Sequence, residues 1–291
     1  MTDLSRLGIF AHFDRHDELA EYVIYSLQSM AVHVDDLVFV TTSKLGASDR
    51  NCLEKICHKV IFRENIGHDL YSHRVGLESV NWRQYNEIVL SNDSVYGPMT
   101  DLGELFGTMG AKGYDFWGIS DNYDIAYHVQ SYFLVFSEAV VQSAVFERFW
   151  EAMVAGSDKS RVIRDYEVGL TQELKSSGYY CGVLSPSKKM GTLERIVRYR
   201  SHYWNMFRER WNDPALYFSL IGGIGEKSSM NQTHYDWRNM LITNRSPYLK
   251  VNLLRDNPQA LPDIDSILPL IDRHTEYPGE LISQHLRRMH S

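Results

Sequence analysis

The chain alternates short, unbroken apolar runs with longer stretches whose apolar positions recur every three or four residues. LGIFAHF (7–13) is apolar nearly throughout and predicts a buried strand, whereas DELAEYVIYSLQSM (17–30) sets Leu19, Tyr22, Val23, Leu27 and Met30 at helical spacing. DLVFVTTS predicts a second strand, LEKIC a short helix and KVIFREN a third strand. HDLYSHRVGLESV then predicts a helix, and NEIVLSND a fourth strand. Strands alternating with helices imply right-handed crossovers and a mostly parallel sheet covered on both faces.

The second half is more mixed. DFWGIS (115–120) and QSYFLVFS (130–137) predict strands, and VVQSAVFERFWEAMV (140–154) a strongly amphipathic helix. VIRDYEVGLTQELKSSG (162–178) predicts another helix, ending at Gly178 as a C-cap. Beyond about residue 185 the periodicity weakens into the aromatic-rich RSHYWNMFRERWNDP, the loop-like IGGIGEKSSMNQTHYDW and the short extended or helical SPYLKVNLLRDNP. No repeat or low-complexity linker interrupts the chain. The expected fold is therefore α/β, one Rossmann-type domain over 1–258, with 259–291 as a C-terminal extension packing on it.

One run is odd. In YNEIVLSNDSVYGP the apolar core of a strand passes straight into Ser91-Asn92-Asp93-Ser94 and is soon stopped by Gly97-Pro98. A surface turn accounts for this, and so does a ligand site, because open α/β sheets take ligands outside the carboxyl ends of their strands. Strand one would end at Ala11-His12-Phe13-Asp14 and strand three at Arg63-Glu64-Asn65, so in a parallel sheet these polar ends share one rim with Asn92 and Asp93.

Composition narrows the function more than the fold. A formal net charge of −7 argues against a general nucleic-acid binder, which needs clustered Lys and Arg. Three cysteines without a CxxC pair build neither a disulfide framework nor a zinc knuckle, as expected of free thiols in a reducing compartment. The start MTDLSRLGIFAHFD lacks the basic and apolar regions of a signal peptide, and no apolar run approaches the ~20 residues of a membrane span. A cytoplasmic protein is expected. The basic tail ISQHLRRMHS is read as a solvated helix, with peripheral membrane contact as the alternative.

Taken in order, IFAHFD, FRENIGHDLYSHRVGL, VLSNDSVYGP, DFWGISDN, HVQSYFLVF, YEVGLTQEL, NQTHYDW and PYLKVNLLRDNP resemble the rhamnan synthesis F family, glycosyltransferase-like domains of bacterial surface-polysaccharide assembly. The resemblance runs from about residue 7 to about residue 258. It implies a nucleotide-sugar-dependent transferase of GT-A type with a mixed sheet. That type carries an Asp-x-Asp at the end of a central strand, and here Ser91-Asn92-Asp93 stands there with the first carboxylate missing.

Sugar transfer from a nucleoside diphosphate requires positive charge for the leaving diphosphate and a base for the acceptor hydroxyl. Asp93 is the leading candidate for holding Mg²⁺ or Mn²⁺, since a hard cation needs only one or two carboxylates besides phosphate and water. Under the resemblance His234 supplies a late metal contact, and Asn92 touches ribose or phosphate. Lys250, with Arg255 behind it, is the candidate phosphate cation, or else a snorkelling lysine. Asp69, at a helix start after Gly67, would accept from base or ribose, while Ala11, His12 and Phe13 would line the base pocket beside Arg63 and Asn65. Each also has a purely structural reading as a cap or as strand-end packing.

For the general base Glu167 is preferred over Asp121, with Asp165 third. GGIGEKSS (222–229) has Glu226 where a phosphate-binding loop needs Gly, and His68 and His73 are spaced wrongly for one helix face, so neither is read as a site. Tyr203, Trp204, Trp211 and Trp237 are candidate sugar-stacking rings. The expected partners are a nucleotide-sugar donor, a glycan or lipid-linked acceptor, and other transferases. The alternatives are a catalytically inactive transferase-like module, kept open by Asn92, and more remotely a metal-dependent phosphohydrolase.

Overall fold

The computed structural model describes residues 4–123, 125–156, 158–187, 231–258, 261 and 263–290. In chain order the strands are β1 (Arg6–His12), β2 (Asp36–Thr41), β3 (Lys59–Phe62), β4 (Glu87–Asn92), β5 (Val95–Tyr96), β6 (Phe116–Asn122), β7 (His128–Val129), β8 (Phe133–Phe136), β9 (Cys181–Ser185) and β10 (Leu249–Lys250). They form an eight-stranded sheet of order β3-β2-β1-β4-β8-β6-β7, with β9 beside β6, and a separate β5–β10 pair. β1, β2, β3 and β4 run parallel, as do β6 and β9, while β8 lies antiparallel between β4 and β6. This is the mostly parallel mixed sheet expected of a GT-A-like chain, and helices flank it.

The strands are apolar on consecutive positions because both faces are covered. Phe10, Phe39 and Val89 enter one core, while Ile9, Val40, Ile88 and Leu90 enter the other. The first face carries α1 (Glu21–Ala31), and α2 (Ala47–Leu53) contributes Leu53 to it. The second carries α3 (His68–Glu78), which lies so close to β1 that a Cβ on Gly76 would stand 2.5 Å from Ile9 Cγ2. Gly76→Val is therefore expected to cost about 1–3 kcal/mol through overpacking, read as a lowered urea midpoint at unchanged m-value.

Further along are α4 (Leu102–Gly110), α5 (Glu138–Val141) and α6 (Ala144–Ala152). A single helix over 140–154 is the expectation; the chain instead breaks it at Ser143, whose hydroxyl accepts the Phe146 N–H at 3.2 Å and starts a new helix. The short helix expected at LEKIC also shifts: α2 ends at Leu53, and residues 54–57 form turns that still bury Cys57. The helix expected over 162–178 is composite, with α7 (Lys159–Val162), a π-helical turn Ile163–Val168 and α8 (Gly169–Ser176). Gly178 terminates it at φ 94°, as its place in the sequence predicts.

The remaining helices are α9 (Gln232–Tyr235), α10 (Trp237–Ile242), α11 (Val251–Arg255), α12 (Ile267–His274) and α13 (Gly279–His290). Ile267, Ile271 and Ile282 share a core with Leu27 and Met30 of α1, and Tyr96 Oη lies 2.7 Å from His285 Nδ1. These contacts carry α13 to the rim at which β1 and β4 end. Among the described residues no helix is long and apolar enough to cross a membrane.

Candidate active-site cleft

β1 and β4 are paired in parallel with Ala11 opposite Asn92, so the residues that follow both strands emerge side by side. They open on a cleft of about 550 Å³ whose other walls come from the start of α3, the π-helical turn, β10–α11 and α13. Asp93 sits at its floor. Its Oδ2 accepts the Phe13 N–H at 2.7 Å, its own N–H donates to Ala11 O at 3.3 Å, and its carbonyl accepts the Tyr22 hydroxyl at 2.8 Å. Burial first, and the nearby Asp69 carboxylate second, push the Asp93 carboxyl well above the usual range, against the pull of the Phe13 N–H.

Asn92 has both ends of its amide in use. Nδ2 donates to Asp69 Oδ2 at 2.9 Å, and Oδ1 accepts the Ser94 N–H at 3.1 Å and the Ser94 hydroxyl at 2.6 Å. It therefore braces the acidic loop while itself lining the cleft. Asp69 reaches the cleft because Gly67 and His68 both adopt positive φ, 77° and 56°, turning the chain into α3. Arg63 locks that turn by donating to His68 O at 2.8 Å and Ser72 Oγ at 2.7 Å.

Two histidines are neutral struts. His73 Nε2–H donates to Ser91 O at 2.9 Å and ties α3 to β4, and burial lowers its pKa to about 4. His12 Nδ1 lies 2.9 Å from Thr41 Oγ1 with its ring 5.2 Å from that of Phe39, and burial again lowers its pKa to about 4.

Several expected contacts lie away from the cleft. Of Ala11, His12 and Phe13 only Phe13 lines it, as a residue 47% exposed; Ala11 and His12 are buried at the strand end. Arg63 acts through the α3 turn, and Asn65 is exposed off the cleft. His234 is one residue removed, its Nε2 3.0 Å from Oδ1 of Asn252, which does line the cleft. Burial lowers the His234 pKa.

Glu167 faces the cleft from the π-helical turn, where Oε1 accepts both the Ser131 N–H at 3.0 Å and the Ser131 hydroxyl at 2.9 Å. Asp165 instead pairs with Arg161 and Arg164 at 3.1 and 2.9 Å, off the cleft. Asp121 is also off it. Its Oδ1 accepts the Ser187 N–H at 2.7 Å and the Gln232 amide at 3.1 Å, tying the segment after β9 to α9, and burial raises its pKa. Asp121→Ala is expected to destabilise the fold by about 1–3 kcal/mol through those orphaned donors, measurable by urea unfolding.

Lys250 lines the cleft beside Ser94, its Nζ 3.3 Å from Ser94 Oγ and 4.2 Å above the Tyr132 ring. Arg255 lines it too, held by Asp256 at 2.9 and 2.7 Å. The α13 wall is pinned by Arg288, which pairs with Asp14 and, at 2.7 Å, with Glu18. Asp14, Ser131, Asn252 and His285 are cleft residues that the motif reading passed over. Asp14, Ser131 and Asn252 lie within IFAHFD, HVQSYFLVF and PYLKVNLLRDNP, but nothing local marks His285. Trp237 is core, while Tyr203, Trp204, Trp211 and residues 222–229 lie outside the described residues.

The acidic cleft lies at the carboxyl ends of the parallel strands, the rim at which open α/β sheets take their ligands. The family model for Rhamnan synthesis protein F matches residues 37–203, over half of the chain, and the chain belongs to that family. It is 27% identical over 252 residues to virulence protein VirA of Vibrio anguillarum (strain ATCC 68554 / 775), covering 84% of this chain and 78% of that one. Among solved structures it resembles 4-diphosphocytidyl-2C-methyl-D-erythritol synthase from Anaerococcus prevotii DSM 20548 at 11% identity and TM-score 0.41, covering 64% of this chain and 90% of that one. The inositol-1-phosphate CTP transferase from T. maritima aligns at 15% identity and TM-score 0.38, covering 62% and 84%.

Proposed function

We propose that the chain is an inverting glycosyltransferase that takes a nucleoside diphosphate sugar in this cleft and passes a rhamnosyl or other hexosyl group to a glycan. The observation that carries this reading is the placement of Glu167 and Asp93 in one cleft at the strand ends, in a chain of the Rhamnan synthesis protein F family. The acceptor hydroxyl attacks the anomeric carbon and gives its proton to Glu167, whose Oε1 is already held by Ser131. The bond from that carbon to the diphosphate oxygen breaks, and its electron pair leaves with the diphosphate. Asp93 opposes the positive charge that develops on the sugar ring, as carboxylates do in glycoside hydrolysis. Phe13 offers an exposed flat face for the base, Asp69 accepts from ribose or base, and Lys250 attracts the phosphates.

The same reading places the protein in the cytoplasm at the inner face of the membrane, meeting a lipid-linked or polymer chain end in surface-polysaccharide assembly, beside partner transferases. Incubation with thymidine, guanosine and uridine diphosphate sugars and glycan acceptors tests it. Transfer by the parent chain and its loss in Asp93→Ala are expected. No transfer from any donor, with glycan binding intact, would instead favour a non-catalytic module. Asn92 supports that second reading, because it stands in place of a first carboxylate and its amide braces the loop.

A further inference from the structure

The transferase reading raises the question of what neutralises the leaving diphosphate. A divalent cation is the expected answer, but the donor set in the cleft does not fit one. Asn92 stands where a first carboxylate would, and its amide oxygen is spent on Ser94. One oxygen of Asp93 is bonded to the Phe13 N–H, and the imidazole of His234 is directed at Asn252. Among the described residues, no three of His, Cys, Asp and Glu come together where they could hold a metal ion.

The neighbouring segment β10–α11 brings positive side chains, Lys250 and Arg255, to the cleft. Pairing of β10 with β5 puts Lys250 opposite Val95, and the Val251 N–H donates to Ser94 O at 2.9 Å, so Lys250 is locked beside the turn that follows Asp93. The face of Tyr132 under its ammonium group is itself fixed, because the Tyr132 hydroxyl lies 2.7 Å from Ser120 Oγ. The ammonium is thus pre-positioned rather than trailing in solvent. Arg255 follows on the same wall, and Asp256 grips two of its nitrogens and sets the guanidinium plane.

We infer that Lys250, with Arg255 beside it, supplies the charge that stabilises the departing diphosphate, so that transfer runs without a bound divalent cation. The inference rests on the transferase reading and adds the means by which the leaving group is handled. In the step written above the electron pair of the broken bond settles on the diphosphate oxygens, and the ammonium meets it there. A positive group already in place reorganises little at that moment, which is the condition under which electrostatic stabilisation is strongest.

Calorimetry of the full chain with thymidine, guanosine and uridine diphosphates, in EDTA and again with excess Mg²⁺ or Mn²⁺, tests this. At least one diphosphate is expected to bind with a Kd that differs by less than about threefold between the two conditions. Lys250→Met should weaken that binding by about tenfold or more in both, and Lys250→Arg should recover most of it. Ligand-free melting of each variant checks that the fold is intact; should Lys250→Met misfold, Arg255→Gln is expected to weaken binding by a smaller factor. Binding that needs the metal, or a folded Lys250→Met that binds as the parent does, overturns the inference and leaves the transferase reading standing. Failure of every diphosphate under both conditions overturns the donor reading itself, and this inference with it.

Discussion

Glu167→Gln is expected to lower kcat for sugar transfer by about two to four orders of magnitude while the donor KM stays close to that of the parent. Glutamine keeps the shape and the carbonyl oxygen that Ser131 holds through its N–H and hydroxyl, at 3.0 and 2.9 Å. What it loses is the capacity to take a proton. The π-helical turn Ile163–Val168 presents this carboxylate to the cleft, while Asp165 two residues earlier is turned to Arg161 and Arg164. Single-turnover transfer separates the loss of a base from loss of binding. A parental kcat in Glu167→Gln would remove Glu167 from the mechanism. Asp121 is then no substitute, since its Oδ1 is committed to Ser187 and Gln232 away from the cleft.

The preference for Glu167 over Asp121 shows what periodicity conveys and what it leaves out. Asp121 follows an apolar strand and Glu167 lies within an amphipathic helix, and neither pattern says which acid faces a cleft. The two acids differ in what crosses from distant sequence: Ser131 comes to Glu167, Ser187 and Gln232 to Asp121. The strands β1 to β4 were legible because burial on both faces demands unbroken apolar runs. The antiparallel placement of β8 was not, since a strand's direction leaves no mark on its apolar pattern. The rim was legible in Asp93 and Asp69, which end a strand and begin a helix. His285 was not, because α13 reaches the rim through tertiary packing alone. His12 misled for a related reason: a polar residue at a strand end is a cleft candidate until Thr41 and Phe39 are seen to enclose it.

Asp93→Asn is expected to abolish transfer and at the same time to raise the melting temperature at neutral pH by a few degrees. Asparagine can still accept the Phe13 N–H, so the turn keeps its shape, but the negative charge facing the developing oxocarbenium is gone and kcat should fall by about a hundredfold or more. The stability change follows from the direction of the pKa shift. Burial and the Asp69 carboxylate hold the folded pKa of Asp93 well above its unfolded value of about 3.9. A group shifted upward contributes stability that is complete below the unfolded pKa and is lost as pH rises through the folded one. Above the folded pKa the parent therefore bears the cost of an ionised carboxylate out of water, and the neutral amide does not. The advantage of the variant should shrink as pH is lowered toward about 4, where the parent's Asp93 is protonated as well. Melting curves for both proteins across that range would show the two lines converging. Parallel lines would mean that Asp93 is solvated and carries no burial cost, and the upward shift argued for it would be wrong.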